Sequence, residues 1–336
     1  MKNITYKPQD FKSDQEVRWC PGCGDYAVLN SIHRAMAEIG VSPDNTVVIS
    51  GIGCSSRLPY YMNTYGMHTI HGRASAIATG VKTANPDLTV WQVTGDGDCL
   101  AIGGNHFIHA VRRNVDLNIV IFNNEIYGLT KGQYSPTSRL GFVSKSSPYG
   151  TVEEPFRPAE LTFGARGTFF ARTLDADLKT SQDVMVQAAK HKGCSVIEAL
   201  VNCVIFNDGT HKYISDKEAR ADRTIVLKDG EPMIFGKNND KGLIIEGFSL
   251  KAVTIGENGI TEKDILVHDA KCPDPTLHFK LGNMKGDLPV ALGVIRNVEA
   301  PSYDQAVKKQ IADVQEKLPS RTLEDFLHTL ETWEIK

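Results

Sequence analysis

The chain has 336 residues, of which 41% are hydrophobic and 23% are charged, so its composition is that of an ordinary globular protein and excludes long intrinsic disorder over most of its length. Its 37 Lys and Arg nearly balance its 40 Asp and Glu, and the net charge of -3 argues against nucleic acid as a partner. No apolar run approaches the ~20 residues of a membrane span, and the first residues lack the apolar core of a signal peptide. We therefore expect a cytoplasmic protein without a membrane partner.

Helices and strands are predicted to alternate along the first two thirds of the chain. Apolar residues at helical spacing predict helices at 28–39, 74–82, 103–113, 159–163 and 180–190, with Gly40 as a C-cap. Short apolar runs predict strands at 46–50, 88–93, 117–122, 167–172 and 195–200. This alternation is typical of parallel βαβ units, so we predict an α/β fold with a doubly wound, mostly parallel sheet and helices on both faces.

The alternation of predicted helices and strands stops after about residue 200, where turn dipeptides become frequent. We therefore divide the chain into a first domain at 1–206 and a C-terminal appendage at 207–336. The appendage is predicted to hold short strands and loops, closed by amphipathic helices around 303–316 and 322–331. It either closes over the site or docks a partner, and the sequence does not choose between these roles.

Two polar motifs are predicted to follow neighbouring strands. Gly95-Asp-Gly-Asp98 comes directly after the strand at 88–93, and Asn123-Asn124 ends the next strand. Ligands bind at the carboxyl ends of strands in doubly wound sheets. Glycines let the backbone approach a phosphate, while Asp96, Asn124 and the carbonyl of Ile126 could offer oxygen ligands to Mg²⁺. The pair of motifs therefore suits a diphosphate held through a metal ion, although Gly-Asp-Gly alone occurs in many loops.

The cysteines provide a second feature. Cys20 and Cys23 form a Cys-x-x-Cys motif, which can be a redox dithiol or half of a zinc or iron–sulfur site. Cys54 and Cys203 are each predicted to follow a strand, at the same edge of the sheet as the diphosphate motif. Four thiolates beside such a site suggest a [4Fe–4S] cluster. The remaining three, Cys99, Cys194 and Cys272, are interpreted as packing residues or free thiols.

The polar pair resembles the thiamine diphosphate motif, in which Gly-Asp-Gly is followed after a couple of dozen residues by Asn-Asn. Over about the first two thirds of the chain, the run of motifs is similar to the β subunits of 2-oxoacid:ferredoxin oxidoreductases. These motifs are Cys20-Pro-Gly-Cys-Gly24, Gly51-Ile-Gly-Cys-Ser55, His71-Gly-Arg-Ala74, Gly95-Asp-Gly-Asp98 and Asn123 to Gln133, and Glu231 to Gly236 in the appendage also fits. The stretch Thr130 to Thr137 is most similar to the 2-oxoglutarate-type enzymes.

The resemblance implies a set of cofactor residues. Cys20, Cys23, Cys54 and Cys203 match the [4Fe–4S] ligands, and Asp96, Asn124 and the Ile126 carbonyl match the Mg²⁺ ligands. Thiamine diphosphate contacts are expected at Ile52, Gly53, Cys54, Ser55, Gly95, Asp96, Gly97, Asp98, Asn124, Gly128 and Leu129. Cys203 lies outside any compact motif, with Cys194 only nine residues away, and its position past a strand end favours it.

The resemblance also implies the reaction and the partners. These are oxidative decarboxylation of a 2-oxoacid with coenzyme A, electrons passing through the cluster to ferredoxin, and an α subunit, often fused to a γ-like domain. Thiamine diphosphate acts as the electron sink. The carboxylate that activates it comes in this family from a separate pyrimidine-binding domain, for which this chain has no room. We therefore expect a hetero-oligomer whose isolated β chain is inactive.

Three residues are candidates for contacting the substrate. His71 and Arg73 are predicted to lie at the start of a helix, where an imidazole and a cation could meet a substrate carboxylate or a developing negative charge. Lys131 is a candidate for holding the distal carboxylate of a dicarboxylic oxoacid such as 2-oxoglutarate. The alternatives are a hydrogen-bonded loop histidine and a solvated loop lysine.

Three other functions remain open from the sequence. The same chemistry could act on pyruvate or on branched-chain or aryl oxoacids, with a different pocket. The chain could instead be a non-catalytic, cluster-carrying electron-transfer subunit, which would have no use for the paired Gly-Asp-Gly and Asn-Asn motifs. A non-oxidative thiamine decarboxylase would have no use for the four cysteines.

Overall fold

A computed structural model describes residues 5–318, 321–331, 333 and 335 of the chain. None of the helices in these ranges combines the length and the apolar character that a bilayer-spanning helix requires.

The strands of the described residues are β1 (Thr46–Ser50), β2 (Tyr65–His68), β3 (Thr89–Gly95), β4 (Asn118–Asn123), β5 (Phe169–Leu174), β6 (Ser195–Leu200), β7 (Thr224–Leu227), β8 (Ile234–Phe235), β9 (Lys241–Glu246), β10 (Ser249–Thr254) and β11 (Val290–Asn297). The α-helices are α1 (Asp25–Ile39), α2 (Ala74–Ala84), α3 (Asp96–Leu100), α4 (Gly104–Arg112), α5 (Pro158–Gly164), α6 (Leu178–Lys190), α7 (Lys212–Ser215), α8 (Arg220–Arg223), α9 (Thr276–Gly282), α10 (Tyr303–Lys317) and α11 (Leu323–Leu327). Short 3-10 helices lie at Pro8–Phe11, Pro43–Asn45, Ser55–Tyr61 and Glu262–Asp264.

The central sheet has eight strands within the described ranges, in the order β2-β1-β3-β4-β6-β5-β11-β7. Its neighbouring strands pair in parallel, except that β11 runs antiparallel to β5. The predicted doubly wound, mostly parallel sheet is therefore confirmed. A small antiparallel sheet of β10, β9 and β8 lies outside it.

Helices cover both faces of the central sheet, as predicted. Alternate residues of β4 enter opposite cores, because successive side chains of a strand point to opposite faces. Ile119 and Ile121 pack with apolar residues of α2, α4, α5 and α9. Val120 and Phe122 pack with apolar residues of α1 and α6. Burial on both faces explains why the inner strands are continuous apolar runs rather than alternating ones.

Three features differ from the sequence prediction or add to it. No element was predicted at residues 65–68, where strand β2 pairs with β1 as an exposed edge strand. The last helix was expected to reach residue 331 but ends at Leu327, because its apolar side chains are exposed and no packing extends the capped first turn. Two strands beyond residue 207, β7 and β11, extend the central sheet. The division at residue 206 stays a prediction.

Candidate functional site

Four neighbouring strands end at the same edge of the sheet. These strands are β1, β3, β4 and β6, and their parallel pairing aligns their carboxyl ends. Loops follow β1, β4 and β6 from Gly51, Asn124 and Val201, and the short helix α3 follows β3 from Asp96. The predicted diphosphate motif and two of the predicted cluster cysteines are therefore brought to one place.

A cleft at this edge, here called the cofactor cleft, collects the predicted cofactor residues. It is lined by Asp25, Ile52, Gly53, Cys54, Ser55, His71, Gly95, Asp96, Gly97, Asp98, Phe122, Asn124, Ile126, Tyr127, Gly128, Leu129 and Thr130. The lining includes every residue predicted to contact thiamine diphosphate or magnesium, and also His71. The sequence motifs thus converge on one cleft, although they lie up to about eighty residues apart along the chain.

Asp96 has the environment of an oriented metal ligand. Its side chain is 2% exposed, and its Oδ2 accepts hydrogen bonds from the hydroxyls of Ser135 and Thr137, each at 2.5 Å. Burial raises the pKa of Asp96 to about 6, although the two hydroxyls act in the opposite direction. A divalent cation would favour the charged form of this carboxylate and compensate its burial.

Asp98, on α3, joins two loops of the cleft to the end of strand β3. Its Oδ1 accepts hydrogen bonds from the backbone N–H groups of Ile52, at 3.2 Å, and Gly72, at 2.8 Å. Its Oδ2 accepts the hydroxyl of Thr94 at 2.7 Å. His71 Nε2 also lies 3.3 Å from Oδ1. The carboxylate of Asp98 is therefore occupied by protein donors, and it positions the loop around Ile52 against the Gly-Asp-Gly turn.

Glycines in these loops allow close packing that any side chain would block. A Cβ on Gly97 would lie 2.2 Å from the ring of Tyr127, whose hydroxyl donates to the Gly97 carbonyl at 3.0 Å. A Cβ on Gly51 would lie 1.8 Å from the carboxylate of Asp98. A Cβ on Gly53, by contrast, would meet no described atom within 4 Å, so that backbone borders open space. The loops fit a diphosphate that approaches bare backbone.

The four predicted cluster cysteines lie beside the cofactor cleft. A Cβ built on Gly128 would stand 3.5 Å from Cys203 Sγ and 3.8 Å from Cys54 Sγ, so both sulfurs lie next to the backbone of Gly128. The Cys20-to-Cys23 turn is held against the end of β6 by a hydrogen bond from Gly24 N to Asn202 O at 3.1 Å. Among the described residues, no three His, Cys, Asp or Glu side chains are drawn together as closely as ligands of a single ion. In a four-iron cluster, each thiolate would bind its own iron.

The raised pKa values of two of these thiols are consistent with a site that holds a cation when it is occupied. Burial raises the pKa of Cys23 well above its usual range, and the neighbouring Asp25, Cys203 and Cys54 add to the effect. Burial likewise raises the pKa of Cys54 to about 11. Thiolates bind metals, so iron would have to displace these protons, and its positive charge would favour the thiolate form.

The other three cysteines do not join this group. Cys99 and Cys194 are buried in the core on the α2 and α4 side of the sheet. Cys194 lies at the amino end of β6, the opposite end from Cys203. The backbone carbonyl of Cys272 accepts a hydrogen bond from Arg296 in the appendage. Their placement is consistent with the packing role expected of them.

The three substrate-side candidates are placed differently from one another. His71 lines the cofactor cleft, with its ring edge-on to Tyr127 at 6.4 Å between centroids. Arg73 does not line the cleft, because its guanidinium donates to the carbonyl of Gly72 at 3.3 Å. Lys131 is exposed, with a left-handed φ of 78°, and follows the cleft residue Thr130. His71 thus faces the cleft, Lys131 lies next to it along the chain, and Arg73 contacts the loop backbone, while the roles of all three toward the substrate stay predictions.

Several residues of the site were not predicted from the sequence. Asp25, Phe122, Tyr127 and Thr130 line the cleft. Ser135 and Thr137 orient Asp96 from a loop without periodic pattern. Tyr127 and Thr130 lie in the motif at 123–133, and Ser135 and Thr137 lie in the stretch at 130–137. Both segments carried the resemblance, which is the signal that could have found these residues. Asp25 directly follows the Cys-Pro-Gly-Cys-Gly run, and burial raises the pKa of its carboxyl to about 7.

Comparison with known proteins adds independent findings. Residues 51–199 match the family described as thiamine pyrophosphate enzyme, C-terminal TPP binding domain. The chain is similar to the 2-oxoglutarate oxidoreductase subunit KorB of Mycobacterium tuberculosis, with 48% identity over 98% of this chain and 88% of that protein. It is also similar to the 2-oxoacid:ferredoxin oxidoreductase subunit beta of a Sulfolobus species, with 44% identity over 64% of this chain and 71% of that protein.

A solved structure matches the whole described fold. It is the 2-oxoglutarate:ferredoxin oxidoreductase from Magnetococcus marinus with 2-oxoglutarate, coenzyme A and succinyl-CoA bound. The TM-score is 0.79 at 32% sequence identity, and the match covers 98% of each chain. The similarity therefore extends through the appendage as well as the cleft.

Proposed function

The chain belongs to the β subunits of the 2-oxoacid:ferredoxin oxidoreductases, and we propose that its complex oxidises 2-oxoglutarate. The overall reaction would convert 2-oxoglutarate and coenzyme A to succinyl-CoA and CO₂ while ferredoxin is reduced. The observation that carries the proposal is the shared edge of the sheet, where Asp96 and Asn124 line the same cleft as Cys54. A subunit that only carried a cluster would need no such carboxylate and amide pair.

Different residues of this chain would hold the different cofactors. Asp96, Asn124 and the carbonyl of Ile126 would hold Mg²⁺, and the backbone at Gly53 would meet the diphosphate. Thiamine diphosphate, when bound, supplies an electron sink for the carbanion left by decarboxylation. Cys20, Cys23, Cys54 and Cys203 would hold the [4Fe–4S] cluster. The packed pair of Gly97 and Tyr127 keeps the Gly-Asp-Gly loop in place.

An α subunit would complete the site. Apolar side chains are exposed around the cleft: Ile70 at 74%, Ile102 at 55% and Leu129 at 44%. Exposed apolar groups in one region are typical of a surface that another protein covers. The α subunit is expected to bring the carboxylate that activates the pyrimidine ring, and it would shield the cleft from water.

The preference for 2-oxoglutarate is supported by two similar proteins that are named for this substrate, the subunit of Mycobacterium tuberculosis and the enzyme of Magnetococcus marinus. Within this chain it depends on Lys131, whose ammonium group could pair with the distal carboxylate of a dicarboxylic oxoacid. The left-handed backbone of Lys131 is uncommon outside glycine and is often found at functional sites.

The proposal is tested by anaerobic co-expression of the chain with its α subunit, followed by viologen reduction. The substrates are 2-oxoglutarate, pyruvate and 2-oxoisovalerate, each with and without coenzyme A. We expect reduction that depends on coenzyme A and is fastest with 2-oxoglutarate, and none from the isolated chain. Reduction led by pyruvate would keep the class of reaction and overturn the substrate. No reduction by a complex loaded with iron and thiamine diphosphate would overturn the enzyme assignment.

The role of Lys131 is tested separately with Lys131→Asn, because asparagine tolerates a left-handed backbone and removes the charge. We expect kcat/KM for 2-oxoglutarate to fall by about tenfold or more, since a charge-assisted hydrogen bond is lost, while the value for pyruvate stays unchanged. The exposed Lys145→Asn variant is the control. An equal fall for both substrates would contradict the carboxylate role.

A further inference from the structure

A second cavity lies on the other side of the loop that follows β4. Its volume is about 350 Å³, within the range of small-molecule sites. Phe122, Asn124 and Ile126 line the cofactor cleft, whereas the intervening Asn123 and Glu125 line this cavity. The loop thus forms a wall between the two spaces, and among the described residues they share no lining residue.

The inner part of the cavity carries balanced charge. Arg172 Nε lies 2.7 Å from Glu198 Oε2, and both side chains are buried. Arg172 also donates to the carbonyl of Gly282 at 2.9 Å. Nearer the surface, Arg139 Nε lies 3.0 Å from Glu125 Oε2. Each carboxylate of the lining is therefore neutralised by one arginine.

Two further cations of the lining are not matched in this way. Arg157 has its ion pair with Glu160, at 3.5 Å, and that carboxylate is 49% exposed and outside the cavity. Lys285 is exposed and has no ion pair within 4.0 Å in the described part of the chain. Because the other charges cancel, the cavity has a net positive lining that favours an anion.

The walls between these charges are apolar. Phe156, Met284 and Val290 line the cavity, and Phe156 is 52% exposed although it is a large aromatic residue. Apolar walls with a few placed polar groups are the usual composition of a site for an organic molecule. A bare inorganic ion would leave these walls unused.

We propose that this cavity binds a small organic anion, a carboxylate or a phosphate ester, whose charged group pairs with Arg157 and Lys285. Arginine and lysine side chains bind both kinds of group through charge-assisted hydrogen bonds. The apolar part of the ligand would pack on Phe156 and Met284. The site is separate from the cofactor cleft and does not depend on the substrate proposed above.

Polar side chains connect the wall of this cavity to the cofactor cleft. Glu198 Oε1 accepts a hydrogen bond from Asn123 Nδ2 at 2.8 Å, and Asn123 Oδ1 lies 3.0 Å from Thr137 Oγ1. The single hydroxyl proton of Thr137 is donated to Asp96 at 2.5 Å. The buried base of the cavity thus reaches the proposed magnesium ligand through the polar side chains of Asn123 and Thr137.

Titration calorimetry on the complex with the α subunit tests the site. The probes are AMP and succinate, each compared with its uncharged counterpart, adenosine and succinamide. The double variant Arg157→Ala/Lys285→Ala removes the unmatched cations. Its control, Arg112→Ala/Lys179→Ala, removes two exposed cations that do not line the cavity. A titration with thiamine diphosphate checks that each protein keeps its cofactor cleft.

We expect at least one anion to bind the wild type and the control equally and to bind the double variant at least about tenfold more weakly, because charge-assisted bonds are lost. The uncharged counterparts should give no binding heat, and thiamine diphosphate affinity should be the same in all three proteins. AMP binding alone would identify a phosphate site and succinate binding alone a carboxylate site. Absence of binding by both anions, or equal binding to the double variant, would overturn the proposal.

Discussion

The hydroxyl of Thr137 lies 2.5 Å from Oδ2 of Asp96, a carboxylate that is only 2% exposed. Ser135 donates to the same oxygen at the same distance. Two donors on Oδ2 fix the orientation of the carboxyl group that would hold the proposed magnesium ion. The loop that carries these hydroxyls therefore acts on the cofactor cleft without lining it.

Thr137→Val is expected to weaken Mg²⁺ binding by about tenfold or more, because a hydrogen bond to a charged group contributes roughly 1.5–3 kcal/mol. Thr137→Ser keeps the hydroxyl and should bind as the wild type does. Calorimetric titration of Mg²⁺ in the presence of thiamine diphosphate measures the difference. Unchanged affinity in Thr137→Val would show that Asp96 needs no such orientation.

Cys203 and Cys194 lie at opposite ends of β6, so one variant of each separates a cluster ligand from a packing residue. Cys203→Ser is expected to lose most of the bound iron, because a [4Fe–4S] cluster is held by four thiolates. Cys194→Ala should keep its iron and lose only some stability through a small cavity in the core. Iron analysis of anaerobically purified protein decides the matter, and full iron content in Cys203→Ser would remove it from the ligand set.

The parts of the fold that followed from the sequence are those built from local patterns. Strands β1 and β6 have the predicted bounds, because each is a short apolar run between turns and is buried on both faces. Strand β2 escaped prediction because its exposed side chains show no burial pattern. Strands β7 and β11 were expected in a separate appendage, since nothing local reveals that a distant strand completes a sheet.

In the site, too, the residues that belong to local sequence patterns could be predicted, and those that meet only in the folded chain could not. Motif residues such as Asp96 and Asn124 could be found because their spacing places them at the ends of neighbouring strands. Thr137 orients Asp96 from 41 positions away, in a stretch whose Ser, Pro and Gly residues carry no periodicity. Arg73 does not line the cleft, which its position at the start of a helix could not reveal, and its role toward the substrate stays a prediction.

Close packing of Gly97 against Tyr127 predicts a difference between two neighbouring glycines. Gly97→Ala would place a Cβ 2.2 Å from the tyrosine ring and is expected to lower the free energy of unfolding by roughly 1–3 kcal/mol, the usual cost of overpacking. Gly95→Ala is the control, because its Cβ would meet Ser55 Oγ at an ordinary 3.6 Å. Urea unfolding of the cofactor-free chain measures both. Equal stability of the two variants would contradict the packing argument.

Removing one partner of the buried ion pair of Arg172 and Glu198 should lower the free energy of unfolding far more than replacing both partners with apolar residues. Glu198→Ala leaves an unpaired arginine in the sheet and is expected to cost about 3–5 kcal/mol. The double variant Arg172→Met/Glu198→Leu should cost much less, since no charge remains buried. Glu231→Ala, which breaks an exposed pair with Lys228, should change stability by less than about 1 kcal/mol. Thermal and urea unfolding test the order, and a double variant worse than Glu198→Ala would reverse it.

His33 predicts how stability depends on pH. It lies on α1 and is 7% exposed, and burial lowers its pKa to about 4. Its ordinary pKa is about 6.5, so the unfolded chain binds a proton there that the folded chain excludes between these values. The contribution of neutral His33 is therefore complete above pH 6.5 and is lost as the pH falls toward 4.

Between pH 7 and pH 5, this group should lower the free energy of unfolding by about 2 kcal/mol. His33→Gln cannot titrate, so its loss of stability over the same range should be smaller by that amount. His328→Gln, at an exposed position directly after α11, should keep the wild-type difference. Urea unfolding at the two pH values measures each protein. An identical pH dependence in the wild type and His33→Gln would show that another group sets the acid limit of the fold.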